Sequence, residues 1–139
     1  MKKIIILCAL VSLSGCGGIT MIDEKQQAMI ETKLPAIDPK GGQLCICRAS
    51  NFAGSGAIVG LKANDENIGE LPNSSYFCIN LSPDQYSITG DCTMCSRMGS
   101  ETIIKQGQRK YMELYVGMNG MNLHSTSREI GLSCINGRM

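Results

Sequence analysis

The chain has 139 residues, 43% of them hydrophobic, with only two phenylalanines, four tyrosines and no tryptophan, and a formal net charge of +1. That length allows one small domain. The balanced charge leaves no electrostatic footprint for nucleic acid and no polybasic patch for anionic lipid, and the scarcity of rings excludes stacking platforms for bases or sugars.

Lys2 and Lys3 form a positive start, and residues 4–13 are almost unbroken apolar chain. That length suits a secretory signal and is too short to span a bilayer as a mature helix. Leu13-Ser14-Gly15-Cys16 then has the form of a bacterial lipobox, with two small residues before a thiol. An ordinary signal needs no cysteine there. The expectation is a mature protein that begins at Cys16, carrying a diacylglyceryl thioether and an acylated amino terminus. Each buried methylene of such chains contributes about 0.8 kcal/mol to anchoring. The competing reading is a plain signal with a chance cysteine, or an uncleaved anchor. Gly17 is not aspartate, which favours the periplasmic face of the outer membrane over retention at the inner one. Of 13 basic side chains, Lys2 and Lys3 leave with the signal, so eleven face twelve acidic ones and the mature chain is net −1.

Residues 16–42 are expected to be a lipidated tether, and residues 43–139 the folded domain. Within the tether, Ile22, Met29, Ile30 and Leu34 fall near helical spacing, Thr20 is a candidate cap with Asp23 three residues on, and Pro35 stops the run. Asp38-Pro39-Lys40-Gly41-Gly42 is a turn cluster. From Gln43 the pattern shifts to short β runs. Residues 44–48 are the first and residues 57–63 the second, with Val59, Leu61 and Ala63 on one face. Asn64-Asp65-Glu66-Asn67 turns the chain into Ile68-Gly69-Glu70-Leu71. Residues 75–81 alternate most clearly, with Phe77, Ile79 and Leu81 inward. After Ser82-Pro83-Asp84, residues 85–89 return. Residues 101–105 are expected to pair with 109–116 across Gln106-Gly107-Gln108. Residues 128–135 read as a last strand, with Ile130, Leu132 and Cys134 alternating. Seven or eight strands at this spacing predict an all-β fold, a small antiparallel sandwich.

Six cysteines remain outside the signal and the lipobox: Cys45, Cys47, Cys78, Cys92, Cys95 and Cys134. An even number in an oxidising compartment predicts disulfides, with 15 pairings open. Cys45 and Cys47 share one face of a strand, which favours bridges to two neighbouring strands over a bond between themselves. Cys78 and Cys134 are among their candidate partners.

The run Arg48-Ala49-Ser50-Asn51-Phe52-Ala53-Gly54-Ser55-Gly56, with Ile68-Gly69-Glu70-Leu71, Ser75-Tyr76-Phe77 and Leu81-Ser82-Pro83, resembles a bacterial lipoprotein family designated domain of unknown function 2846. The resemblance covers roughly residues 43–92. It implies a β-sandwich similar to PEGA and transthyretin-like carriers, and it brings no catalytic residues. The family turn is usually Pro-Gly where this chain has Pro83-Asp84, and the six cysteines lie outside the family pattern.

Three chemistries compete for the remaining residues. Cys92-Thr93-Met94-Cys95 has C-x-x-C spacing, but no βαβ setting that would place the first thiol at a helix N-terminus, as a thiol–disulfide oxidoreductase needs. Cys92, Met94, Cys95 and Met98 lie close in sequence, and Met118, Met121 and His124 follow at every third position. Soft sulfur and imidazole ligands suit copper, although no spacing template matches. Arg48 is the candidate binding residue, able to clamp a carboxylate or phosphate through its fork or to pair with Glu70. Gly54-Ser55-Gly56 lacks the frame of a nucleophile elbow and the lysine of a phosphate loop. The expected function is a lipid-anchored, non-catalytic binding or structural module of the cell envelope. No cofactor is expected beyond the covalent lipid. The expected partners are the membrane and an envelope protein. A periplasmic copper binder is the alternative, and an oxidoreductase the second.

Overall fold

A computed structural model describes residues 19–139. The signal, the lipobox and Cys16 lie outside the described residues. Helix α1 (Glu24–Lys33) precedes eight strands, β1 (Gly42–Arg48), β2 (Val59–Ala63), β3 (Glu66–Leu71), β4 (Ser75–Leu81), β5 (Asp84–Cys92), β6 (Cys95–Ile104), β7 (Arg109–Gly117) and β8 (Gly120–Thr126). Helix α2 (Arg128–Asn136) follows. The strands form two four-stranded sheets, in the orders β4-β1-β7-β8 and β3-β2-β5-β6. The sheets face each other across one core, so the expected sandwich is present. One pairing departs from the antiparallel expectation: β1 and β7 run parallel, with Arg48 opposite Leu114. Two central strands far apart in sequence pair here without a hairpin constraint, so alternation alone could not set their direction.

Burial follows the pleat. Val59, Leu61 and Ala63 of β2 are buried and the residues between them are not, as a one-faced strand requires. β1 is buried along its whole length. Its Leu44 and Ile46 enter the sandwich core. Its Cys45 and Cys47 enter a second cluster beneath the two helices. A third layer of helices thus covers the outer face of the β1 sheet. Residues 64–65 make a two-residue hairpin, with positive φ at Asn64 and Asp65, the geometry that twists with the strands.

Four sequence expectations change. Residues 128–135 are helical. Ser127 caps that helix by accepting from the Ile130 amide, and residues 131–135 are all buried, so the apparent alternation sampled a helix with one sheltered side. Residues 101–105 and 109–116 belong to opposite sheets rather than to one hairpin. β6 pairs with β5 instead, turning at Cys92–Cys95. The first helix is capped by Asp23, not Thr20, in a capping box with Gln26. Residues 120–126, to which the sequence pattern assigned no strand, form β8, with His124 on it. Ile22, Ile30 and Leu34 of the α1 region are buried against Cys47, Tyr111 and Leu132, so this segment is packed onto the sandwich.

The six cysteines among the described residues all pair. Cys45 bonds Cys78 directly across β1 and β4. Cys47 bonds Cys134, 87 residues away. Cys92 bonds Cys95 across the β5–β6 turn. The two sulfurs on one face of β1 do reach two neighbours, one a strand and the other a helix.

Candidate binding surface

The strand directions gather four connections at one end of the sandwich. β1 and β7 both finish there, so the 49–58 loop and the β7–β8 turn lie together. Ser75 of β4 pairs with Arg48, which adds the 72–74 turn. Asp91 of β5 pairs with Gly60 of β2, which adds the Cys92–Cys95 turn.

Arg48 roots this end. It is 1% exposed. Its guanidinium donates to the carbonyl oxygens of Ala57 at 2.6 Å, Leu71 at 2.9 Å and Gly54 at 2.8 Å. Burial pushes its pKa below the ordinary arginine value, yet arginine stays charged throughout the working range. The fork is spent on the backbone of its own loops. Glu70 is not among its partners. Asn51 continues the fastening: its side-chain amide donates to the Val116 carbonyl at 2.9 Å, and its backbone N–H donates to the Asn73 side chain at 3.1 Å. Gly54 has φ +77° and sits so close that a Cβ would lie 2.7 Å from Val116 Cγ1, so only glycine fits both constraints.

These fixed loops present apolar side chains outward. Phe52 is 96% exposed, Met94 94% and Met118 92%, and Ile58 is exposed beside them. A groove of about 710 Å³ runs between the 49–58 loop and the β5–β6 turn, lined by Gly54, Gly56, Ala57, Ile58, Cys92, Thr93 and Met94. Residues 49–58, 72–75, 93–94 and 118–119 contain no Asp, Glu, Lys, Arg or His. The connections at the opposite end carry Asp38, Lys40, Asp65 and Lys105. An exposed ring and thioethers on loops without charged side chains can bury themselves against an apolar surface.

The candidate soft-metal ligands occupy different settings. Met118 tips the β7–β8 turn, and Met121 is buried in the sandwich core. His124 lies an odd number of residues further along β8, hence on the other face, 3.6 Å from Glu113. Cys92 and Cys95 are bonded to each other, with Met94 projecting from the turn and Met98 paired opposite Gly90. Among the described residues no three of His, Cys, Asp and Glu cluster as metal ligands would. The C-x-x-C closes a β-hairpin and has no helix dipole to lower a thiol pKa.

A polar clasp on the helix side is structural. Arg128 grips Glu31 with two hydrogen bonds, at 3.0 and 2.7 Å. Tyr111 donates its hydroxyl to the same carboxylate at 2.9 Å. The Arg128 hydrogen bond leads the causes that hold Glu31 below its usual pKa. Burial, then the bond to Glu31, raises the Tyr111 phenol. Among the described residues every buried side-chain nitrogen and oxygen has a partner, so none is left aimed at a ligand.

Sequence reasoning singled out residues 48–56 as a motif run, placed Ala57 and Ile58 in the second strand, which begins at Val59 instead, and missed Phe52, Ile58 and Asn51 as working parts of this loop. The signal was there, as ten consecutive residues without charge in a chain that is 18% charged.

No family model matches the chain, and no curated protein matches it. Among solved structures the chain is similar to one from Bacteroides ovatus ATCC 8483 described as a "putative cell adhesion protein", with 12% identity and a TM-score of 0.41, covering 63% of this chain and 44% of that chain. The chain therefore spans less than half the length of that protein, and at this score the likeness carries no argument.

Proposed function

We propose that this protein is a lipid-anchored, non-catalytic module of the cell envelope, held at the periplasmic face of the outer membrane through Cys16 and binding through the loop end, whose four connections carry no charged side chain. The observation that carries the proposal is the complete pairing of Cys45, Cys47, Cys78, Cys92, Cys95 and Cys134 within the fold. Three disulfides are formed and kept in an oxidising compartment and are rare in the cytosol. The signal and lipobox supply the route to that compartment, and the motif resemblance over residues 43–92 points to the same kind of protein. Among the described residues no helix is long and apolar enough to cross a membrane.

The test is mass spectrometry of the mature protein with acyl labelling in the bacterium. The expected N-terminal peptide begins at Cys16 and carries diacylglycerol and a third acyl chain. The Cys16→Ala variant is expected to lose label and leave the membrane fraction. An unmodified Cys16, or a variant that keeps its label, overturns the proposal.

A further inference from the structure

Resting on that reading of the anchor, we propose that the loop end seats in the same lipid leaflet that holds Cys16, with Phe52, Met94 and Met118 immersed among the headgroups and upper acyl chains. Three observations carry it.

Reach comes first. Cys16 and Ile19 are three peptide steps apart, each about 3.8 Å between Cα atoms, so a lipid on Cys16 holds Ile19 within about 11 Å of its own attachment point. The domain cannot stand off from the leaflet.

Orientation follows. Ile22 donates its backbone N–H to Ser133 Oγ, whereas Gln27 and Glu31, further along α1, meet Arg128 at the start of α2. The two helices are therefore antiparallel, and the chain enters α1 from the end at which α2 stops. There Arg138 donates to the Arg48 carbonyl at 3.1 Å, at the root of the 49–58 loop. The described chain therefore begins, at Ile19, on the side of the helical layer that leads toward the loop end.

Chemistry agrees with both. The four connections at this end carry no charge, and three of their apolar side chains are more than nine-tenths exposed. The connections at the far end carry charges on Asp38, Lys40, Asp65 and Lys105. Side chains that pass below the headgroups gain by burying apolar area and lose by burying charge, so a seat at that depth favours rings and thioethers and excludes ions. A soluble partner imposes no such exclusion, since the rims of protein interfaces are polar.

The chain has no tryptophan, so single reporters can be placed cleanly. Full-length acylated protein carrying Phe52→Trp, Met94→Trp or Met118→Trp is reconstituted on phosphatidylethanolamine–phosphatidylglycerol vesicles with brominated acyl chains. Ile103→Trp, exposed on β6 next to its far-end terminus, is the control. All four sites are exposed, so the fold tolerates the ring. The expected result is loss of fluorescence at the three loop positions and retention at the control. Protein that floats with the vesicles but keeps its loop fluorescence overturns the seat alone. If such protein also crosslinks as a dimer or to another envelope protein through these loops, the occupant is that chain. Protein that fails to float overturns the anchor, and the seat with it.

Discussion

Cys47 on the central strand β1 is bonded to Cys134 on the C-terminal helix α2, at a sequence separation of 87. This bond staples the helical layer to the middle of the sandwich. In the chain-entropy picture, closing so long a loop stabilises by about 4.5 kcal/mol, against about 2 kcal/mol for the tight Cys92–Cys95 turn. The double variant Cys47→Ser/Cys134→Ser is therefore expected to lose much more stability in urea unfolding than Cys92→Ser/Cys95→Ser. Equal losses would show that the long bridge constrains nothing the native packing does not already constrain.

Arg48 supports three backbone carbonyls from a site closed to water. Arg48→Ala leaves those acceptors unpaired, and a buried acceptor without a donor costs roughly 1–3 kcal/mol. The expected loss is on the order of 4 kcal/mol, since the loops relax to recover part of it. Arg48→Lys keeps the charge but not the planar fork, so it falls between. The amides of Ser55 and Ala57, bonded within the loop to Phe52 and Gly54, are expected to exchange faster in the lysine variant while amides of β2 do not. Uniform exchange across the domain would refute the local role.

Much of the fold was legible where a strand has one dry face, as in β2 and in Phe77, Ile79 and Leu81 of β4, which pack on the core. Legibility failed where a second layer blurred the period. α2 reads as alternating because the sandwich shelters its whole inner side, and only the Ser127 cap argued for a helix, against the interior Gly131. The parallel contact of β1 with β7 joins residues more than sixty apart and leaves no mark on local pattern. For the site, the cysteine geometry of β1 was readable because a strand's period is two. Arg48 was visible as a residue of interest, but its acceptors are backbone carbonyls, which no side-chain pattern announces.

Gly131 lies in the interior of α2, where alanine would ordinarily add about 1 kcal/mol of helix propensity. Here a Cβ would sit 2.6 Å from Cβ, Cγ and Cδ1 of Tyr111. The ring has little room to yield, because its hydroxyl is bonded to Glu31 and its strand is central. Overpacking of this kind costs roughly 1–3 kcal/mol. Gly131→Ala is expected to lower the thermal midpoint. A raised midpoint would mean that propensity wins and the helix can lift.

The clasp around Glu31 gives the domain two pH limbs. The Arg128 hydrogen bond holds the Glu31 carboxyl below its ordinary value of 4.5 in the fold. Below pH 4.5 the unfolded chain takes up a proton that the folded chain still refuses, so stability falls with acid until the folded group is protonated too. This contribution is fully present above 4.5. Tyr111 behaves in the opposite sense. Burial raises its phenol above 10.0, so above that pH the unfolded chain sheds a proton that the fold retains, and stability declines as pH rises. Glu31→Gln removes the acid limb and weakens the alkaline one, because it takes away the second cause of the Tyr111 shift. Urea midpoints for both proteins are therefore expected to differ most near neutrality and to converge toward acid. A difference that stays constant from neutral to acid pH would show that the carboxylate's charge contributes nothing, and that the contact is held by shape alone.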